Sequence, residues 1–248
     1  MHAGTLRTVY GMDYATRDEE EPWALNLVVR VERDTTVAHE DLLDAAASAV
    51  VKLLLDDRAQ VEWCDSITRW HDGRIRKLCR RARGVKWEAT ASLDHVEVTI
   101  GSATVRAFVP TPVASQPVVL AKLQLSGTDF EGKADGAIEK GDLVVWLSPR
   151  VEMTSAKAAV QGAHGAQLIA ERLVAASHAG QDEELSQWRG NGCAIKVREA
   201  TEAEWATLLE VDEDYLQYCF IRDAGFTEVA AGSLTAIGVA PSLAGGIK

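Results

Sequence analysis

No uninterrupted apolar run in the 248 residues approaches the length of a membrane-spanning helix, roughly 20 residues. The start of the chain has no basic segment followed by an apolar one. Glu19, Glu20 and Glu21 stand there instead, so no signal peptide is expected, and the two absences together predict a cytoplasmic protein. Cysteine is sparse: Cys64, Cys79, Cys193 and Cys219 are far apart and lack metal-ligand spacing, which favours buried free thiols over disulfides. Positive charge is also in deficit. The 26 Lys and Arg against 37 Asp and Glu leave a net charge of -11, a poor match for a nucleic-acid binder, because phosphate affinity comes from Lys and Arg. A local basic patch can still serve, since the field at a site matters more than the total. Neither a Ser-His-Asp arrangement nor a metal-ligand signature is evident, and no cofactor is implied.

What is present is a core. The apolar fraction is 47%, enough to exclude global disorder, and the length allows one large domain or two ordinary ones. Residues 1–22 are polar and acidic and read as an arm. Residues 24–31 read as a buried strand and 39–55 as an apolar-rich helix. Trp63 and Trp70 bracket a turn-like segment. Residues 74–86 hold seven basic residues and no acid. Residues 94–100 and 103–109 read as strands joined at Gly101-Ser102, and Pro110, Pro112 and Pro117 suit an edge or connection. The Gly- and Asp-rich stretch 126–141 reads as a linker. The order then repeats: strand 143–147, helix 155–176, a polar loop 177–192, strand 194–197, helix 201–209, and strands 219–222 and 233–239.

That repetition predicts an internal duplication. Trp70 matches Trp188 and Trp87 matches Trp205, each 118 positions on (188 minus 70, 205 minus 87). Leu27-Val28-Val29 matches Leu143-Val144-Val145, and Gly101-Ser102-Ala103-Thr104 matches Gly232-Ser233-Leu234-Thr235. In this alignment Lys157 falls opposite Asp44, Gln161 opposite Ser48, and Asp223 near Ser92. The expected fold class is α/β: two similar three-layer domains with mixed sheets, over 23–125 and 142–248. The first would keep the fold without the chemistry.

Two stretches carry the candidate chemistry. In residues 153–166, Thr154 or Ser155 can cap a helix. That helix places Lys157, Gln161 and His164 on one face at i, i+4 and i+7, among small residues that allow close packing. In residues 221–235, Asp223 sits in a Gly-containing loop, with Thr227 and Thr235 at +4 and +12. A lysine and a glutamine on a tightly packed helix need a reason to be there.

Lys157 and Gln161, with Asp223-Ala224-Gly225, Thr227, Gly232-Ser233 and Thr235, resemble the type-2 peptidyl-tRNA hydrolase family over residues 141–243. The family usually has Gly where this chain has Ala156, Arg at Phe226 and Gln at Glu228. The last two changes remove a positive charge and add a negative one beside the expected site. The resemblance implies hydrolysis of the ester joining a peptide to the terminal ribose of tRNA. Direct attack by water is the simpler scheme: Asp223 orients or deprotonates it, and Lys157 stabilises the oxyanion or the leaving ribose. Gln161 and Thr227 hold the water or the ester carbonyl, and Thr235 bonds Asp223 or the substrate. The family commonly works as a dimer, so a homodimer is implied, or a monomeric pseudo-dimer in which the duplicated half replaces the second subunit.

Each of these residues also has a plainer role. Lys157 and Asp223 alone would suggest a structural ion pair, His164 a packed, hydrogen-bonded histidine, and Thr227 and Thr235 ordinary strand residues. The basic stretch is either a solvated face or a phosphate-binding face for tRNA carried by Arg80, Arg81 and Arg83. The competing function is a non-catalytic tRNA- or protein-binding module that retains the hydrolase fold. Net acidity, Phe226 and Glu228 favour it; the persistence of Lys157, Gln161, Asp223 and Thr227 opposes it.

Overall fold

A computed structural model describes residues 21–125, 127–134, 136–225 and 227–244. Most of the expected arm, and Phe226, lie outside the described residues. The first half runs β1 (Trp23–Arg30), α1 (His39–Leu55), α2 (Cys64–His71), β2 (Lys77–Ala82), α3 (Gly84–Thr90), β3 (His95–Ile100), β4 (Ala103–Phe108), β5 (Thr111–Pro112) and α4 (Val118–Ala121). The second runs β6 (Leu143–Leu147), α5 (Ser155–His178), α6 (Glu183–Gly190), β7 (Ile195–Glu199), α7 (Glu202–Leu209), β8 (Tyr218–Arg222) and β9 (Leu234–Val239). No described helix is long and apolar enough to cross a membrane.

The two halves are α/β units of one topology. The first sheet has the order β2-β1-β4-β3, with β5 added beside β1; the second has β7-β6-β9-β8. In each, the first strand pairs parallel with the second and antiparallel with the fourth. Pairing partners keep the 118-residue offset: Leu27 faces Cys79, and Val145 faces Val197. The tryptophans keep equivalent contacts as well. Trp70 Nε1 donates to the Arg76 carbonyl at 2.8 Å and Trp188 Nε1 to the Ala194 carbonyl at 2.9 Å. Trp87 and Trp205, on α3 and α7, are buried against the outer faces of their sheets. These similar units are consistent with a duplication.

A single buried cluster joins the halves. It runs from the inner face of the first sheet (Leu25, Leu27, Val29) through α1 and α5 to that of the second (Leu143, Val145, Leu147). α5 lies close to its sheet because it is built of Ala and Gly. A Cβ on Gly162 would come within 2.7 Å of Val197 Cγ1, and one on Gly165 within 2.7 Å of Val145 Cγ1. The helix starts meet: His39 Nδ1 and Ser155 Oγ are 2.8 Å apart. These are the first residues of α1 and α5. The connection between the halves caps both helices rather than spanning freely. Thr128 O and Asp129 Oδ1 accept from the amides of Ala156 and Ser155, and the Glu131 and Gly132 carbonyls accept from His39 and Glu40. These are the amides that a helix start leaves without internal partners.

Four expectations change. The turn-like segment after Trp63 holds α2, and the polar loop 177–192 holds α6. Both helices are eight residues long, too short for periodicity to reveal, and each is anchored by its buried tryptophan. Helix alignment is also different. Superposing the helix starts puts Lys157 opposite Asp41 and Gln161 opposite Ala45, while Asp44 falls opposite Val160. With that offset of 116 (155 minus 39), buried residues 158–163, 165–167 and 169 coincide with buried residues 42–47, 49–51 and 53. Finally, Asp223 follows the strand end equivalent to Ile100, not Ser92. A two-residue hairpin, Gly101-Ser102, closes the first unit where residues 223–233 connect β8 to β9.

Candidate active site

Thr154 is the N-cap of α5, its hydroxyl accepting from the Lys157 amide at 3.4 Å. One turn of helix then sets Lys157 and Gln161 side by side on the face toward the β8–β9 loop. At the end of β8 a register irregularity between Ile221 and Arg222 bends the strand and re-aims the residues after it. Asp223 is fixed there by its own backbone: its amide donates to Ser233 O at 2.9 Å, and its carbonyl accepts from the Gly232 amide at 2.7 Å. Gly225 must be glycine. Its φ is +79°, and a Cβ would come within 2.8 Å of the Ala231 backbone.

The five expected catalytic residues form one connected cluster. Lys157 Nζ donates to Asp223 Oδ2 in a very short contact, and to Thr227 Oγ1 at 2.9 Å. Gln161 Nε2 donates to the same Asp223 Oδ2 at 2.7 Å. The Thr235 hydroxyl stands 2.8 Å from Gln161 Oε1 and 3.1 Å from the Ile221 carbonyl, and its one proton serves either acceptor. Asp223 Oδ1 accepts from the Gly225 amide at 2.8 Å. Thr235 therefore orients Gln161 rather than bonding Asp223 directly. The cluster is graded from inside to outside: Thr235, Gln161 and Asp223 are buried, Lys157 is partly exposed, and Thr227 is exposed. Substrate can thus reach it from the Thr227 and Lys157 side.

Chemically, this is a cation, a carboxylate and an amide held by a buried hydroxyl. Three donors reach the Asp223 carboxylate, which has about four lone-pair sites, so Oδ1 can still accept from a water. Lys157 stands beside it as a charge for a developing oxyanion. Among the described residues no group of His, Cys, Asp and Glu is arranged to hold a metal ion. A cavity of about 1120 Å³ lies elsewhere, between the C-terminal part of α5, α6 and β8. It includes none of the five residues; the polar cluster is the better candidate because ester hydrolysis needs placed charges and donors more than volume.

Glu228, seen in the sequence only as an added negative charge, has a structural task. Its carboxylate accepts from the Thr154 amide at 3.0 Å and from the Thr154 hydroxyl at 2.9 Å, tying the loop to the start of α5, where negative charge is favourable. His164 is packed and hydrogen-bonded, as expected, with Nδ1 2.8 Å from Lys77 Nζ. The basic stretch does not form one face. Lys77 and Arg80 are buried. The Arg80 guanidinium donates to Asn26 Oδ1, Leu123 O and Gln116 Oε1, so it is not open to a phosphate. Arg81 is partly exposed and Arg83 exposed. Successive side chains point to opposite faces, so Lys77 and Arg80 leave β2 on opposite sides, both of them covered, while Arg83 lies beyond the strand. All four cysteines are free, Cys79 and Cys219 buried, Cys64 and Cys193 only partly so.

The sequence profile of the family described as Peptidyl-tRNA hydrolase PTH2 matches residues 142–247. A Drosophila melanogaster protein named "Probable peptidyl-tRNA hydrolase 2" is 36% identical over 107 residues. That alignment covers 42% of this chain and 55% of the relative, so the chain spans about half the length of the curated protein it matches. The C-terminal region of the chain, residues 142–247, is a type-2 peptidyl-tRNA hydrolase family region.

Proposed function

We propose that the chain hydrolyses the ester bond of peptidyl-tRNA, releasing peptide and free tRNA. The observation that carries this is the convergence of Lys157, Gln161, Asp223 and Thr227 on one partly open cluster within the family-matched region. Water is held by the free lone pair of Asp223 Oδ1 and by Thr227, and attacks the ester carbonyl. Asp223 orients the water and takes its proton. Lys157 stabilises the oxyanion, and as the C–O bond breaks the proton held by Asp223 passes to the departing ribose oxygen. Gln161 and Thr235 hold Asp223 in place. No cofactor enters this scheme.

The N-terminal half, over residues 23–125, is proposed to be a non-catalytic copy. It has Asp41 where the other half has Lys157, and Ser102 of its hairpin donates to Asp41 through both amide and hydroxyl at 2.7 Å. It has no counterpart of the loop that bears Asp223 and Thr227. Its packing against α5 supports a pseudo-dimer in a single chain, with residues 142–248 as the catalytic domain. Arg81 and Arg83 remain candidates for tRNA phosphates, and a peptidyl-tRNA substrate implies work in the cytoplasm. The bond from Glu228 to Thr154 gives that acid a structural reason, which weakens the case for a non-catalytic binding module. Release of labelled peptide from peptidyl-tRNA, compared with Asp223→Asn, tests the proposal.

A further inference from the structure

The interface between the halves has two pseudo-equivalent corners, and both carry buried charge, differently arranged. Where α1 crosses β7, Ile195, Ser48, Val51 and Leu55 line a cavity that also holds Lys52 and Lys196, and the buried Asp44 pairs with Lys196 and Arg198. The counterparts of Ile195, Ser48, Val51 and Leu55, by the sheet offset of 118 and the helix offset of 116, are Lys77, His164, Gln167 and Glu171. There Lys77, 5% exposed, donates to Gln167 Oε1 and pairs with His164 Nδ1, over the Trp70 ring at 5.1 Å. Gln167 Nε2 in turn donates to Glu171 at 2.8 Å. At the first corner the cations pair with the Asp44 carboxylate; Lys77, a buried ammonium that is costly to desolvate, is held instead by an imidazole and an amide. The Lys77 corner lies along the helix that carries the candidate site. His164 is the third residue on the face of Lys157 and Gln161, and partly exposed.

We infer that the N-terminal half contributes Lys77 to the hydrolytic site as a positioning residue, fixing the tautomer and ring plane of His164 beside Lys157 and Gln161. This rests on the hydrolase proposal for its consequence, but not for its geometry. Burial pulls the Lys77 ammonium well below its ordinary range, opposed by Glu171; as long as it keeps its proton it can only donate, so Nδ1 accepts and the ring proton stays on Nε2, which has no partner among the described residues. His164 then presents one defined donor on the catalytic face of α5. The charged groups around it are Lys77 from β2 and, on α5, Lys157 and Glu171, the last reached through Gln167. Burial, then the charges of Lys77 and Lys157, hold the imidazole well below its ordinary range, so the ring is neutral at neutral pH.

The test uses the full chain with Lys77→Met, and Lys77→Gln, which keeps a donor without the charge, each checked for folding by thermal unfolding. Ring-nitrogen NMR follows the His164 titration, and peptide release gives kcat and KM. With Lys77→Met the His164 midpoint should rise by about one unit, because a neighbouring positive charge is gone. Turnover should fall on the order of tenfold, as for coupled polar networks, with KM little changed, and Lys77→Gln should retain more turnover. In a His164→Asn background, Lys77→Met should add nothing. An unmoved His164 midpoint, or an equal loss of turnover in both backgrounds, would overturn the inference. If the wild type releases no peptide, the hydrolase proposal fails, while the His164 titration still decides whether Lys77 governs that ring.

Discussion

Lys157 and Asp223 stand 66 positions apart in the chain and share one ion pair, with Gln161 donating to the same carboxylate oxygen. Neither charge is free in water: the side chains are 11% and 6% exposed. A pair this enclosed contributes little net stability unless its remaining bonds are satisfied. Here they are, by Thr227, Gln161 and the Gly225 amide. In the proposed reaction each group is thus already oriented, with no reorganisation needed as charge develops.

Removing the cation should separate chemistry from binding. Lys157→Met should lower kcat by about 10²–10³-fold, the usual cost of losing one oxyanion partner. KM should change only modestly, because the interaction strengthens mainly in the transition state. Steady-state peptide release checks this; a rise in KM at unchanged kcat would make Lys157 a simple binding residue.

Thr235 makes the site depend on a buried hydroxyl. Thr235→Val preserves shape but leaves Gln161 Oε1 without its hydroxyl donor, at a cost of about 1–3 kcal/mol. Urea unfolding should register that cost. Turnover should fall too, since Gln161 loses the bond that orients it toward Asp223.

The halves are also joined by charge. Asp44 of α1, fully buried, accepts from the Val197 amide and the Arg198 guanidinium, both at 2.7 Å. Burial raises the Asp44 carboxyl above its ordinary range, opposed by Arg198, the Val197 amide and Lys196. Asp44→Ala would leave the Val197 amide without its acceptor and Arg198 with Glu40 as its remaining carboxylate, and should destabilise the chain by about 1–3 kcal/mol, read as a lower unfolding midpoint. If the halves unfold as a unit, one transition should shift whole. Two transitions, with only the first half affected, would contradict the shared core.

Arg81 and Arg83 can be tested as phosphate contacts. Replacing both by Ala should weaken tRNA binding and reduce the log–log salt slope by roughly one unit for each phosphate no longer held. Turnover at saturating substrate should hold. Arg80→Ala should instead act on stability, because its guanidinium satisfies Asn26, Gln116 and the Leu123 carbonyl inside the fold.

The strands and the two long helices are legible in the sequence because their apolar patterns are long and the halves repeat. The candidate cluster is legible because a spacing of four on a helix and an Asp-Ala-Gly-x-Thr loop are local signatures. The features that escape the sequence depend on tertiary placement. Glu228 reads as an intruding charge, yet its carboxylate holds Thr154. Arg80 reads as part of a basic face, but Asn26, Gln116 and the Leu123 carbonyl enclose its guanidinium. The pairing of Lys77 with His164 joins residues 87 positions apart, and no local pattern marks it. Likewise, α2 and α6 are each eight residues held by one buried tryptophan, a cause that lies in the core rather than in the segment.

The most direct measurement is release of labelled peptide from peptidyl-tRNA by the purified 248-residue chain, beside Asp223→Asn. The variant keeps the side chain's shape but removes the carboxylate on which Lys157, Gln161 and the Gly225 amide converge. The wild type should release peptide at a measurable rate, and the variant should fall by about 10²–10⁴-fold, the range for losing a proton acceptor. Equal release by the two proteins, or none by the wild type, would contradict hydrolysis at this site.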